Sequence, residues 1–166
     1  MSQISADIRE YTALLQKGQI QRAYKGIMSF MSDLKAYLER AYPEYLSSAL
    51  YCGYMDMTYF AFTPPELKDK KLKIALAYLH AENRFECWLA GANRKVQADY
   101  IKRLSSKDLG GYKLSKAAPG VDSIIESIVD EQPDFDRTDG LKTRLEKLLI
   151  QFSDDVLSLI QVETES

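Results

Sequence analysis

Apolar residues recur at every second position in the middle of the chain and at every third or fourth position on either side of it. Alternation of this kind predicts half-buried strands, whereas the longer spacing predicts helices with one buried face. The alternating stretch runs from Gly53 to Asn93 and contains the only histidine and the only tryptophan. We therefore expect an α+β fold in a single domain, residues 1–166. It should combine a small antiparallel sheet of about three strands with an N-terminal helical hairpin and C-terminal helices.

Two helices are predicted before the sheet. The first begins with Ser5 as its N-cap and ends at Gly18, a residue suited to the left-handed conformation that closes many helices. The second carries an apolar stripe from Ile20 to Leu38 and is stopped by Pro43. We expect this hairpin to cover one face of the sheet.

Three strands are predicted within the alternating stretch. The last two form a hairpin, in which a two-residue turn at Glu82 and Asn83 places His80 opposite Phe85. In this register the large apolar residues of the hairpin share one face, as burial requires. The opposite face then carries small and polar residues and one aromatic. The strands span residues 55–62, 72–80 and 84–89, and the opposite face of the hairpin contains Ala75, Ala77, Arg84, Glu86 and Trp88.

Three further elements are predicted after the sheet. A helix is expected around Tyr100, where apolar residues recur every fourth position. The apolar residues of segment 121–130 favour another helix, although their β-branched side chains leave a strand possible. A long final helix follows, with Asp136 as its N-cap and Asp139 in its first turn. Its apolar stripe is expected to face the core, although the near-heptad spacing would also suit a dimer seam.

Composition narrows the functional classes. The 166 residues are 46% hydrophobic and 28% charged, with a formal net charge of −2, which is typical of a folded domain and does not favour binding to phosphate backbones. There is no apolar run of roughly eighteen residues and no signal-like N-terminus, so we expect a cytoplasmic protein that binds neither nucleic acid nor membrane. Cys52 and Cys87 lack the spacing of metal ligands and are expected to be buried free thiols.

The polar face of the predicted hairpin is the candidate ligand site. If the first strand lies beside the third, Asp56 and Thr58 come close to Arg84, Glu86 and Trp88. Arginine offers a planar fork of donors, the carboxylates accept hydrogen bonds, and tryptophan provides a stacking wall. The same residues would also suit a structural cluster that ties the sheet to a helix. Side chains predicted at the rim of the site are Tyr54, His80, Asn93 and Gln97.

Catalytic chemistry has fewer candidates. His80 is the only side chain whose ordinary pKa lies near neutrality, and it would have to meet Cys52 or Cys87 in space to form a nucleophilic pair. Asp56 and Glu86 would serve as acid and base if burial separated their pKa values. The sequence contains no cofactor motif and no metal-ligand spacing, so we expect neither a cofactor nor a metal.

The central stretch resembles a family of uncharacterised bacterial proteins. The resemblance is carried by the segments GYMDMTYFAFTP, KLKIALAYLH and RFECWLAGANRKVQADY. It covers most of the chain and implies one domain in a bacterial cytoplasm, but no activity and no catalytic residue follow from it. The residues specific to it are Gly53, Tyr54, Asp56, Tyr59, His80, Arg84, Glu86, Trp88, Gly91, Asn93, Gln97 and Tyr100.

Taken together, these features favour a non-catalytic binding module for a small molecule or a protein partner, either a monomer or a homodimer. One alternative is a small enzyme that uses Asp56, Glu86 or His80 as acid or base. Another is an oligomerisation or adaptor protein, which would leave an apolar stripe uncovered in the monomer.

Overall fold

The computed structural model describes residues 3–164 as an α+β arrangement. Its helices are α1 (Ile4–Gln16), α2 (Gln19–Ala41), α3 (Arg94–Leu104) and α4 (Thr138–Thr164), with a short 3-10 helix at Pro65–Lys70. Its strands are β1 (Leu46–Ser47), β2 (Met57–Thr63), β3 (Leu72–Leu79), β4 (Arg84–Gly91), β5 (Lys113–Leu114) and β6 (Ser123–Glu131). The predicted fold class is therefore confirmed.

The sheet is larger than predicted. Its six strands are all antiparallel and lie in the order β1-β2-β3-β4-β6-β5. Segment 121–130, for which a helix was favoured, forms most of β6, because its β-branched residues fit a pleated surface better than a helical turn. β1 and β5 contain two residues each, too few to produce a visible alternation.

The β3–β4 hairpin differs from the prediction by two residues. Tyr78, and not His80, lies opposite Phe85, so the connecting loop contains four residues, His80 to Asn83. Asn83 adopts a left-handed φ of 50°, which asparagine tolerates, and its side chain accepts a hydrogen bond of 2.7 Å from the Tyr78 hydroxyl. Because side chains alternate with a period of two, this shift leaves every residue on its predicted face.

Helices cover only one side of the sheet, which we call the first face. Its side chains include Phe60, Phe62, Leu76, Phe85 and Leu89, and they pack with α2, α3 and α4 in one core. The predicted apolar stripe of α4 faces this core, with Leu141, Leu145, Leu149, Phe152, Val156 and Ile160 buried and Leu148 and Leu159 partly buried. The other side, the second face, contains Met57, Tyr59, Leu79, Trp88 and Ile128, which are all partly or largely exposed.

Only the second helix of the N-terminal hairpin packs against the sheet, whereas both helices were expected to. The C-terminal half of α2 packs into the core through Phe30, Met31 and Leu34, but α1 has no buried residue. Ser5 lies inside α1, whose N-cap position is occupied by Gln3. Gly18 separates the two helices with a left-handed φ of 80°, as predicted.

The predicted starts of two other elements, β2 and α4, differ from those in the structure. The strand expected from residue 55 begins at Met57, because Met55 has a left-handed φ of 65° that no strand accommodates. Asp136 is not the N-cap of α4, since that helix begins at Thr138 and its Leu141 N–H bonds the Arg137 carbonyl. Asp139 lies in the first turn, as predicted.

Candidate functional site

A tight loop between Cys52 and Thr58 positions the first group of predicted site residues. Gly53 has a left-handed φ of 75°, and the Asp56 carboxylate accepts a hydrogen bond of 2.9 Å from the Tyr54 N–H. The backbone N–H groups of Tyr54 and Met57 hold the pKa of the Asp56 carboxyl below its usual range. The side chain of Asp56 therefore acts inside its own loop, while Tyr54 projects outward with 91% of its surface exposed.

His80 closes this loop against the sheet. Its backbone N–H bonds the Asp56 carbonyl at 3.0 Å, and its Nε2 lies 2.8 Å from the Thr58 hydroxyl oxygen. Thr58 donates its only hydroxyl proton to the Cys52 carbonyl at 2.7 Å, so His80 Nε2 must be the donor to Thr58. Partial burial lowers the pKa of His80, and the Asp56 carboxylate opposes this shift. The imidazole ring is also stacked against Tyr24, with the ring centroids 6.0 Å apart.

The second group forms a compact cluster on the second face. Both carboxylate oxygens of Glu86 are engaged: one accepts from Arg84 Nε at 2.6 Å and the other from Trp88 Nε1 at 2.8 Å. The Glu86 side chain is only 4% exposed, whereas that of Arg84 is 34% exposed. Glu86 therefore fixes the guanidinium and the indole in place, and it is also the main cause of the raised Arg84 pKa.

The two groups do not form one site. Asp56 and Thr58 would come close to this cluster only if the first and third predicted strands were neighbours, and β3 separates these strands, β2 and β4. Thr58 shares the first face with Phe60, and its hydroxyl is turned toward His80. Asp56 belongs to the loop before β2. Only Arg84, Glu86 and Trp88 remain together, and their role in ligand binding stays a prediction.

A cleft of about 310 Å³ adjoins the retained cluster. Arg84, Glu86, Lys113 and Glu126 contribute its charged lining. Glu86 accepts only from the Nε of Arg84. Among the described residues, neither Nη nitrogen of Arg84 has a hydrogen-bond partner. The cleft thus combines a fixed guanidinium with free donor groups and enough space for a small polar molecule.

The remaining predicted rim residues have structural roles. The Asn93 side chain caps α3 by accepting a hydrogen bond of 2.9 Å from the Val96 N–H. Gln97 is buried and donates from its amide to the carbonyls of Val121 and Ser123, which ties α3 to the segment that enters β6. Gly91 allows the start of α3 to approach the end of β4, since a Cβ there would lie 2.8 Å from the backbone nitrogen of Gln97.

The geometry gives little support to acid–base or thiol catalysis. Glu86 lies on the second face, whereas His80 is bonded to Thr58 on the first. Cys87 is buried and burial raises the pKa of its thiol well above the usual value; Cys52 is exposed, contrary to expectation. Within residues 3–164, no group of three or more His, Cys, Asp or Glu side chains is placed to hold a metal ion. No described helix is long and apolar enough to cross a membrane.

A second cavity on the same face was not predicted. It has a volume of about 370 Å³ and lies beside β1, where β2 ends and β3 begins, and its charged side chains are Lys68, Lys71 and Lys73. The sequence signal was the basic run KDKK with Lys73 two residues on, which reads as a charged connection. Only the 3-10 helix turns these side chains toward one cavity.

Comparison with models of protein families identifies the family of this chain. The model of a family described as a domain of unknown function, DUF7000, matches residues 4–160. The chain belongs to this family. The match begins with the first residue of α1 and ends at residue 160, so it includes α1, α2, α3, most of α4 and the whole sheet. Comparisons with curated proteins and with solved structures gave no match.

Proposed function

We propose that this DUF7000 domain is a non-catalytic binding module whose second sheet face receives a small molecule at Arg84 and Trp88. The observation that carries the proposal is the position of Glu86. Its buried carboxylate accepts one hydrogen bond from Arg84 and one from Trp88, and so holds both side chains in place. A guanidinium and an indole fixed before a ligand arrives lose little conformational entropy on binding. The ligand class that fits is a small molecule with a carboxylate or phosphate for the Arg84 fork and a planar group for Trp88.

The cytoplasm is the proposed setting. Both cysteines are free, and one of them is exposed. Reducing compartments are where exposed thiols persist without forming disulfides.

A screen of carboxylate- and phosphate-bearing metabolites tests the proposed site. Trp88 is the only tryptophan, so its fluorescence reports directly on the cluster, and thermal unfolding gives an independent readout. Replacing Arg84 with lysine keeps the charge beside Glu86 but removes the planar fork, so we expect a hit to bind roughly 10–100-fold more weakly. Arg40→Lys, an exposed substitution on α2, is the matched control and should leave the affinity unchanged. A hit whose affinity survives both Arg84→Lys and Trp88→Phe would show that the site is wrongly placed.

Self-association is a second candidate function, favoured by α1. This helix exposes Ile4, Ile8 and Tyr11 to 59%, 53% and 57%, and none of its residues is buried. Isolated helices of this length are marginal in water, so an uncovered apolar stripe calls for a partner. The stripe has successive spacings of four, three and four positions, and this order is the same from either end of the helix. Its residues are Ile4, Ile8, Tyr11 and Leu15. It therefore matches the same stripe of a second copy packed antiparallel about a twofold axis. We propose a homodimer through α1.

The homodimer predicts a specific effect of charge on the stripe. Ile8→Glu places a carboxylate at the twofold contact in both copies, and we expect the dissociation constant to rise at least about a hundredfold, since each buried isoleucine contributes roughly 1.5–3 kcal/mol. Light scattering over a concentration series measures this change. Ala13→Glu adds the same charge on the opposite side of α1 and should leave the mass unchanged. A wild-type protein that stays monomeric at all concentrations would rule the homodimer out.

A further inference from the structure

The lysine-lined cavity on the second face has the features of a ligand pocket. Its apolar floor is built from Leu46, Ala61 and Ala92, and its volume of about 370 Å³ falls within the range of small-molecule sites. Ala61 and Lys73 belong to the second face because they alternate with the buried Phe62 and Leu72. The cavity is therefore open on the side that the helices leave uncovered.

The charges around this cavity have one sign. Lys68, Lys71 and Lys73 line it, and no carboxylate does. Within the described residues, none of the three lysines takes part in a salt bridge, whereas other basic side chains of the chain do. Glu39 is linked to the lining because it accepts from the Ser47 hydroxyl, but it is already paired with Lys35. Glu66 and Asp69 lie in the 3-10 helix beside Lys68 but do not line the cavity. The charged side chains that line the cavity are therefore all positive.

The three lysines are held near each other by backbone geometry. Lys71 ends the 3-10 helix with a left-handed φ of 57°, and its carbonyl accepts a hydrogen bond of 2.9 Å from the Ala92 N–H. This turn reverses the chain directly into β3, so Lys68 before it and Lys73 after it line the same cavity. The Thr63 hydroxyl fixes the adjoining strand by accepting from the Ile74 N–H at 3.2 Å.

We propose that this cavity binds a small organic anion whose apolar body rests on the alanine and leucine floor and whose charged group faces the lysines. Two features give the complementarity. Three ammonium groups that make no salt bridge favour an anion, and the apolar floor disfavours fully hydrated inorganic ions. The site is separate from Arg84 and Glu86, and the proposal does not depend on the function proposed for that cluster.

An amide-resolved NMR titration with octanoate tests the proposal. We expect the signals of residues 46–48, 61–63 and 71–73 to shift, with a dissociation constant at or below about 1 mM that rises with salt. Octan-1-ol, of the same chain length but neutral, and inorganic phosphate, which has no apolar body, should each bind at least about tenfold more weakly. Equal binding of either compound would overturn the proposal, as would the absence of octanoate-induced shifts at these residues.

Paired lysine variants locate the charge. Lys71→Gln with Lys73→Gln should weaken octanoate binding about tenfold, since two partly screened ion pairs of roughly 0.7 kcal/mol each are lost. Lys95→Gln with Lys102→Gln removes the same charge from the exposed surface of α3 and should have no effect. Arg84→Lys should also leave octanoate binding intact. If the Lys71 and Lys73 pair binds octanoate like the wild type, or if Arg84→Lys abolishes binding, the lysine cavity is not the site.

Discussion

Replacing Glu86 with alanine is expected to lower the free energy of unfolding by about 2–4 kcal/mol. The substitution removes the acceptor for both Arg84 Nε and Trp88 Nε1 at once. Losing one partner of a buried pair costs about 3–5 kcal/mol. We expect a cost near the lower end of this range, because Arg84 is 34% exposed and water replaces part of the hydrogen bonding that its guanidinium loses. Urea unfolding followed by Trp88 fluorescence measures the change.

Two variants make this result interpretable. Glu86→Gln keeps an oxygen acceptor but not the charge, so we expect a smaller loss than for alanine. Glu82→Ala removes an exposed carboxylate from the neighbouring hairpin loop and should change stability by less than about 0.5 kcal/mol. If Glu86→Ala and Glu82→Ala were equally mild, Glu86 would not organise the second face, and the preorganised site at Arg84 and Trp88 would lose its basis.

Replacing Gly53 with alanine is expected to destabilise the protein by about 3 kcal/mol or more. A Cβ at this position would lie 2.0 Å from the Met57 carbonyl oxygen and 2.8 Å from the Asp56 carboxylate. The φ of 75° adds the strain of a left-handed residue that carries a side chain. The backbone cannot yield without breaking the Asp56 and His80 bonds that hold the loop, so we expect the loop to open.

Gly26 supplies the matched control for this substitution. It lies in the interior of α2, and a Cβ there would meet nothing within 4 Å. Gly26→Ala should therefore stabilise the protein by about 0.5–1 kcal/mol, opposite in sign to Gly53→Ala. Chemical unfolding gives both values, and limited proteolysis between Cys52 and Thr58 detects loop opening. A Gly53→Ala protein as stable as the wild type would show that the loop is not rigid.

The α1 stripe illustrates a limit of periodicity. The spacing of Ile8, Tyr11 and Leu14 correctly predicted a helix with an apolar side, since that pattern follows from 3.6 residues per turn. This spacing could not reveal which surface the apolar side of α1 packs against. The expectation that it covers the sheet was wrong, because the turn at Gly18 leaves α1 clear of the core.

The sequence alone determined the fold class, the order of the main elements and the face on which each residue of the β3–β4 hairpin lies. These properties depend on local periods of two and 3.6, which neighbouring residues impose on one another. The order of strands in the sheet depends on long-range pairing, and only the tertiary structure decided it. For that reason Asp56 and Thr58 are separated from Arg84, Glu86 and Trp88 by β3, while three lysines of an apparently ordinary charged connection line one cavity.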